Sequence, residues 1–221
     1  EVAENPATKG VVVYVDSPGG TMVGGLNLHK GLRRLAAEKP LVTVMGTVAA
    51  SAGYMVSVAG DYVIASPGTI TGSIGVMMPL VDATELADKI GIENDEVASG
   101  DLKTATSPLR SRSKQDTAYL EETVLQMKDV FMDLVTSRRE LTAKTRQKIS
   151  DGRILTGVMA HDMNLVDALG DRHSGREWLE ETQNIDEDLP LVDVSLREPK
   201  GLMEQMMYGL KTTLFSKQNW Q

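Results

Sequence analysis

Two serines stand among small residues in contexts that suit nucleophilic chemistry: Ser51 in Ala49-Ala50-Ser51-Ala52-Gly53 and Ser73 in Gly72-Ser73-Ile74-Gly75. A nucleophile on a sharp strand-to-helix turn needs room for substrate and exposed backbone N–H groups to hold an oxyanion, and small neighbours provide both. Neither serine matches Gly-x-Ser-x-Gly, because Ala49 and Thr71 occupy the first glycine positions. Tight helix-on-strand packing gives the same small-residue pattern, so the residues alone leave the two serines, and a purely structural role, open.

A serine needs a base. His29 falls within a helical pattern, and His161 and His173 lie in polar, surface-like sequence, so none of the three is well placed. The remaining base is lysine, an amine that desolvation can render neutral and able to accept the serine proton, as in Ser-Lys variants of the hydrolytic triad. Most lysines here sit beside other charges or on helix faces. Lys103 differs in context, because it follows Ser99-Gly100 on a polar loop. A third feature is the glycine turn Asp16-Ser17-Pro18-Gly19-Gly20. Without a Gly-x-x-x-x-Gly-Lys-Ser/Thr pattern it reads weakly as a phosphate cradle, and better as a source of an oxyanion donor.

These residues require elements to position them. Val11-Val12-Val13-Tyr14-Val15 is a β-branched strand, and Met22 to Ala37 places Met22, Leu26, Leu32, Leu35 and Ala36 at helical spacing. Leu41 to Met45 reads as the next buried strand, Gly46 to Ser51 as a turn, and the small-residue segment after it as a second helix. A strand at Tyr62–Ala65, a glycine-rich turn around Thr71–Gly75, a helix at Ala83–Ile90 and a strand near Glu93–Ala98 continue the alternation. This βαβα order predicts an α/β fold with a mostly parallel sheet covered by helices. Beyond a polar loop from Gly100 to Ser113, a long amphipathic helix is expected over Lys114–Glu140. Short helices follow after Thr142, at Val158–Met163 and at Gly175–Gln183, then an edge-type strand at Leu191–Leu196. The apolar spacing of Leu202, Met206, Leu210 and Leu214 makes residues 197–221 a candidate interaction helix.

Composition narrows the function. There is no cysteine among the 221 residues, which excludes disulfides, thiolate metal sites and cysteine nucleophiles. The net charge of −8 is the wrong sign for a phosphate-tracking surface, so no nucleic-acid partner is expected. Three histidines and nine aromatic residues (two Trp, five Tyr, two Phe) are too few for haem or a multi-histidine metal centre; neither cofactor nor metal is expected. From Pro40 to Val81 the only charged residue is Asp61. The glycines, prolines and hydroxyl residues in that stretch favour a tightly packed core over membrane spans.

Val15-Asp16-Ser17-Pro18-Gly19-Gly20, Gly46-Thr47-Val48-Ala49-Ala50-Ser51-Ala52-Gly53-Tyr54, Thr71-Gly72-Ser73-Ile74-Gly75-Val76 and Ser99-Gly100-Asp101-Leu102-Lys103 occur in this order and spacing. Together with Ser107-Pro108, Asp151-Gly152-Arg153 and Leu165-Val166-Asp167-Ala168-Leu169-Gly170, they resemble the bacterial signal peptide peptidase A family from about Val11 to Gly170. The resemblance implies a Clp-protease-like (crotonase-type) spiral α/β fold over a single peptidase domain, residues 1–221, and hydrolysis of leftover signal peptides at the bacterial inner membrane. It implies Ser51 as nucleophile, Lys103 as general base, the Gly20 and Ala52 N–H groups as oxyanion hole, and Ser73 as the hydroxyl that orients the lysine. It also implies a homo-oligomeric ring in which serine and lysine meet across a subunit boundary, with activity rising with pH as the lysine loses its proton.

Two departures stand out. The family carries an N-terminal membrane anchor and leading strands, and Glu1–Gly10 holds neither, so the chain is expected to be a soluble fragment of a membrane-associated, extracytoplasmic peptidase. Ala52 stands where glycine is common, which keeps the N–H. Three alternatives remain open: a phage prohead protease of the same fold and dyad, a crotonase-type acyl-CoA enzyme without a serine nucleophile, and a catalytically silent peptide-binding scaffold.

Overall fold

The computed structural model describes residues 2–194. The chain divides into two units, Glu1–Ile185 and Asp186–Gln221. In the second, residues 186–194 form no helix or strand; a turn is closed by the Leu189 N–H donating to Asp186 O at 3.1 Å. The edge strand expected at Leu191–Leu196 is therefore absent as far as Val194, since the segment has no sheet neighbour to pair with, and its last two residues lie outside the described residues. The helix expected within residues 197–221 also lies outside them.

The first unit opens with strand β1 (Val11–Ser17), helix α1 (Met22–Ala36), strand β2 (Leu41–Ala50) and helix α2 (Ala52–Ser57). Strands β3 (Tyr62–Ala65) and β4 (Ile70–Gly72) follow, then helices α3 (Thr84–Lys89), α4 (Lys114–Arg138) and α5 (Ala143–Ile149). Strand β5 (Ile154–Thr156), helix α6 (Gly157–Asp162), strand β6 (Ala168–Leu169) and helix α7 (Arg172–Gln183) complete it. The sheet runs β5-β4-β2-β3-β6, with β1 also paired to β2, and only the β4–β5 pair is antiparallel. The expected α/β fold with a mostly parallel sheet is what forms.

Two local expectations are corrected. The segment Gly46–Ala50, read as a turn, belongs to β2, and the supposed turn at Thr71–Gly72 is part of β4. Val42–Met45 pairs with Tyr62–Ala65 of β3, whereas Val48–Ala50 pairs with Ile70–Gly72 of β4. The change of partner occurs at a bulge where the β1 register jumps from Val15↔Met45 to Ser17↔Ala49. The Asp16 carboxylate closes this bulge by accepting the Val48 N–H at 3.0 Å, and Thr69 Oγ1 donates to Gly46 O at 2.8 Å. Glycine and small residues made the stretch look like a turn because its strand character comes from partners contributed later in the chain. Conversely, residues 93–98 form no strand: they are exposed throughout and find no sheet edge, so local β pattern is not enough.

Side chains alternate across the sheet as the strand period requires. On one face Val12, Val42, Val44 and Ile64 pack beneath α7 with Leu179, where Trp178 stacks on Tyr62 at 5.1 Å between ring centroids. On the other face Val15, Met45, Ala49, Val63 and Ala65 meet Tyr54 and Met55 of α2, Val58 just after it, and Phe131 and Val135 of α4. This second layer fixes α2, and with it the residue that precedes it. Tyr54 is fully buried and donates its hydroxyl to Leu165 O at 2.9 Å, so the helix is tied to the chain leading into β6. Among the described residues no helix is long and apolar enough to cross a membrane.

Candidate active site

Ser51 occupies the single residue between the end of β2 and the first turn of α2, and its backbone lies at φ 53°, ψ −122°. A non-glycine residue at that positive φ costs on the order of 1–3 kcal/mol and persists only where its surroundings over-determine it. They do so here. The Ser51 N–H donates to Gly72 O at 2.9 Å, its carbonyl accepts the Met55 N–H at 3.1 Å, and Gly53 comes so close to β1 that a methyl there would lie 2.6 Å from Ser17 O. Strain of this kind on a strand-to-helix turn throws the side chain off both elements, the mechanical requirement of a nucleophilic serine.

The glycine turn that the sequence singled out lies against this serine. A methyl built on Gly19 would lie 2.9 Å from Ser51 Cβ and 3.3 Å from Ser51 Oγ, and Gly19 has φ +128°, a conformation few side chains tolerate. The turn is braced internally, the Gly19 N–H donating to Ser17 Oγ at 3.2 Å. Gly20 follows in open space. Among the described residues the N–H groups of Gly20 and of Ala52, the first residue of α2, donate to no partner. Two unused donors flanking a strained serine are the raw material of an oxyanion hole.

Ser73 is brought alongside Ser51. The ladder pairs Ala50 with Gly72, so the next residues of β2 and β4 are Ser51 and Ser73. Ser73 also has a positive φ, 50°, and its N–H donates to Arg153 O at 2.8 Å. The Asp151–Arg153 turn that receives it is held by an ion pair between Arg153 and Asp151, whose carboxyl the guanidinium holds down at about 2.

Lys103 is placed differently from Ser51 and Ser73. It stands on a 3₁₀ turn (Asp101–Thr104) within the excursion between β4 and α4, which also carries α3. The excursion is laced to itself: the Ala83 N–H donates to Pro108 O at 2.8 Å, Arg112 to Val81 O at 3.3 Å, and Ser107 Oγ to Glu96. Its end is locked to α4, where Asp116 caps the helix and takes Arg110 at 2.8 Å, a contact that with Ser113 holds the Asp116 carboxyl at about 2. The Lys103 side chain is exposed, and no hydrogen bond or ion pair joins it to Ser51, Ser73 or any other described residue. Apolar Met77, Leu86, Ile90 and Val97 of the same excursion are exposed as well.

Sequence reading passed over the residues that hold α2 from behind. His29, weighed as a base and set aside, is buried, with Nδ1 2.7 Å from Met55 O. Arg33 donates to Ala59 O at 2.7 Å, Arg138 to Gly60 O at 3.0 Å, and Thr43 Oγ1 to Ser57 O at 2.7 Å. Their only trace in the sequence is the four-residue spacing of Gly25, His29 and Arg33 on α1. Burial holds the His29 imidazole below its ordinary value of 6.5, with Arg138 and Arg33 adding to the effect and the Met55 carbonyl opposing it. A folded-state value below the unfolded one means that the unfolded chain binds more protons in between, so stability present above about 6.5 is lost as pH falls. The thermal midpoint is accordingly expected to drop from about pH 7.5 to about pH 5.5, and to drop less in His29→Asn; equal slopes in the two proteins would contradict this assignment.

Among the described residues no three metal-ligating side chains cluster. Residues 33–186 match the model of Peptidase family S49. The chain is 33% identical over 208 residues to a candidate protease of Methanocaldococcus jannaschii, covering 94% of this chain and 67% of that protein. It is 32% identical over 171 residues to a candidate signal peptide peptidase of Enterococcus faecium, covering 77% of this chain and 50% of the relative. With Protease 4 of Salmonella typhi it shares 36% identity over 176 residues, 76% of this chain but 27% of that longer protein. The mostly parallel sheet with its covering helices is the Clp-protease-like fold expected from the resemblance. By the match over residues 33–186 and the identity with these relatives, the chain is a member of Peptidase family S49.

Proposed function

We propose that the protein is a serine endopeptidase in which Ser51 is the nucleophile and Lys103 the general base. The observation that carries the reading is the strained Ser51 turn with the Gly19–Gly20 backbone laid against it and two N–H groups unused. The neutral Lys103 amine takes the Ser51 proton as Oγ attacks the peptide carbonyl. The Gly20 and Ala52 N–H groups hold the oxyanion, and the lysinium returns the proton to the leaving amine. Water, deprotonated by the same amine, then releases the acyl group and regenerates Ser51. Ser73 orients the lysine amine.

Because the Lys103 side chain has no partner among the described residues of its own chain, we place it against Ser51 of a neighbouring protomer in a homo-oligomeric ring. The exposed apolar side chains on the excursion that carries it support such a contact. The substrates proposed are extended apolar peptides, signal peptide remnants first among them, at the bacterial inner membrane and on its extracytoplasmic side. The name of the Enterococcus faecium relative supports that choice. A phage prohead protease would use the same residues on a different substrate.

Covalent capture tests the chemistry. A fluorophosphonate is expected to add its phosphonyl group to one residue, Ser51, as read by peptide mass spectrometry, and to leave the Ser51→Ala protein unlabelled. Labelling elsewhere, or none, would sink the nucleophile assignment and favour a crotonase-type enzyme or a silent scaffold.

A further inference from the structure

Helix α1 begins immediately after the Gly19–Gly20 turn, with Thr21 as its N-cap accepting the Gly24 N–H at 3.2 Å. Helix α2 begins immediately after Ser51. The two proposed oxyanion donors, Gly20 and Ala52, therefore sit at the starts of two helices, and the distance between those donors depends on how the helices lie against each other.

Three residues of α1 at successive four-residue steps, and hence on one face, make that contact. Gly25 lies against the start of α2: a methyl there would come within 2.8 Å of Met55 Sδ and 3.0 Å of Ala52 Cβ. His29, in the middle, is 2.7 Å from Met55 O, and Arg33 reaches Ala59 O at 2.7 Å beyond the helix end. Met55 is itself the residue whose N–H donates to Ser51 O. Its peptide groups thus connect the serine turn to the imidazole in one turn of helix. Since the partner is a carbonyl, Nδ1 must carry the proton and donate. Arg33 is shared with Asp61 and Arg138 comes from α4, whereas the His29 bond is internal to the two helices and buried.

We infer that His29 is a positioning residue: a buried Nδ1–H donor that sets α1 against α2 and so fixes the separation of the Gly20 and Ala52 N–H groups around the Ser51 turn. The inference rests on the proposed serine peptidase reading. Its consequence is selective. An oxyanion pocket slightly out of shape stabilises the transition state less while binding the extended substrate nearly as before, so the loss falls on kcat and spares KM.

The test uses the full chain with a fluorogenic apolar peptide, comparing the unmodified protein with His29→Leu, His29→Asn, Gly25→Ala and Ser51→Ala. His29→Leu is expected to lower kcat on the order of 10- to 100-fold with KM nearly unchanged, the range a misplaced oxyanion donor commands. His29→Asn, whose amide can donate from near the Nδ1 position, is expected to recover part of it. Gly25→Ala wedges the same two helices apart with His29 intact and is expected to lower kcat as well. A folded His29→Leu protein with full kcat would overturn the inference, as would equal losses in the leucine and asparagine variants. If His29→Leu does not fold, Gly25→Ala decides: an unchanged kcat there overturns it. Activity persisting in Ser51→Ala is a different outcome, because it removes the nucleophile assignment on which the inference stands.

Discussion

Exchanging Ser51 for alanine is expected to abolish peptide hydrolysis, exchanging Lys103 for alanine to do the same, and mixing the two inactive proteins to restore part of the activity. The first two outcomes follow from a nucleophile and base acting as one unit, where removal of either costs about as much as removal of both; a loss of at least about 10³-fold is expected for each. The third follows from the surroundings of Lys103. Its side chain is exposed and unpaired among the described residues, while Ser51 is held by β2, β4 and the glycine turn. In a mixed ring, a site is intact wherever a protomer with its serine sits beside one with its lysine, about a quarter of positions at equal mixing. Two inactive variants that stay inactive together, with mixed rings confirmed by native mass spectrometry, would place base and nucleophile in one protomer. Full activity in Lys103→Ala would put the base elsewhere.

The second large effect is expected at Gly19. Alanine there must adopt φ +128° and bring its methyl to 2.9 Å from Ser51 Cβ and 3.3 Å from both Ser51 Oγ and Ala50 O. None of these is the free end of a flexible chain, so either the turn or the serine has to move. Backbone strain of this kind costs on the order of 1–3 kcal/mol of stability, and a nucleophile displaced by about an ångström loses on the order of 10²-fold in kcat. Gly20→Ala is the control. Its new methyl meets open space and its N–H is kept, so a thermal midpoint near that of the unmodified protein and a smaller loss of kcat than in Gly19→Ala are expected. Paired kcat and thermal-midpoint measurements decide the matter: two variants with equal losses would show that the turn matters only as a flexible link, not as a surface fitted to Ser51.

The contrast between these glycines shows what the sequence could and could not convey. Ser51 and Ser73 stood out together because each lies among small residues after a strand, and only the family resemblance separated them, whereas the Asp16–Gly20 turn was legible from its glycines at the end of a β-branched run. That Gly19 touches the serine while Gly20 faces open space is a property of two turns more than thirty residues apart meeting in space, and no local pattern encodes it. The same limit hid the outer half of β2, whose strand character depends on β4 and on Asp16, and β5 and β6, which are too short for periodicity to register. The opposite error at residues 93–98 arose because a strand-like pattern carries no information on whether an edge is available. His29 was judged on its fitness as a base, and its actual contact, 26 residues away at Met55, is tertiary.

The change of partner along β2 also bears on how the domain loosens. Leu41–Met45 is clasped between β1 and β3, whereas Val48–Ala50 leans on a three-residue β4 whose outer neighbour β5 is equally short. Opening free energies vary across a protein with such differences in support, so the amides of Val48–Ala50 are expected to exchange with solvent before those of Leu41–Met45. Such an opening would expose the backbone just before Ser51 while the inner half stays closed, so loss of activity on warming is expected to precede loss of the sheet.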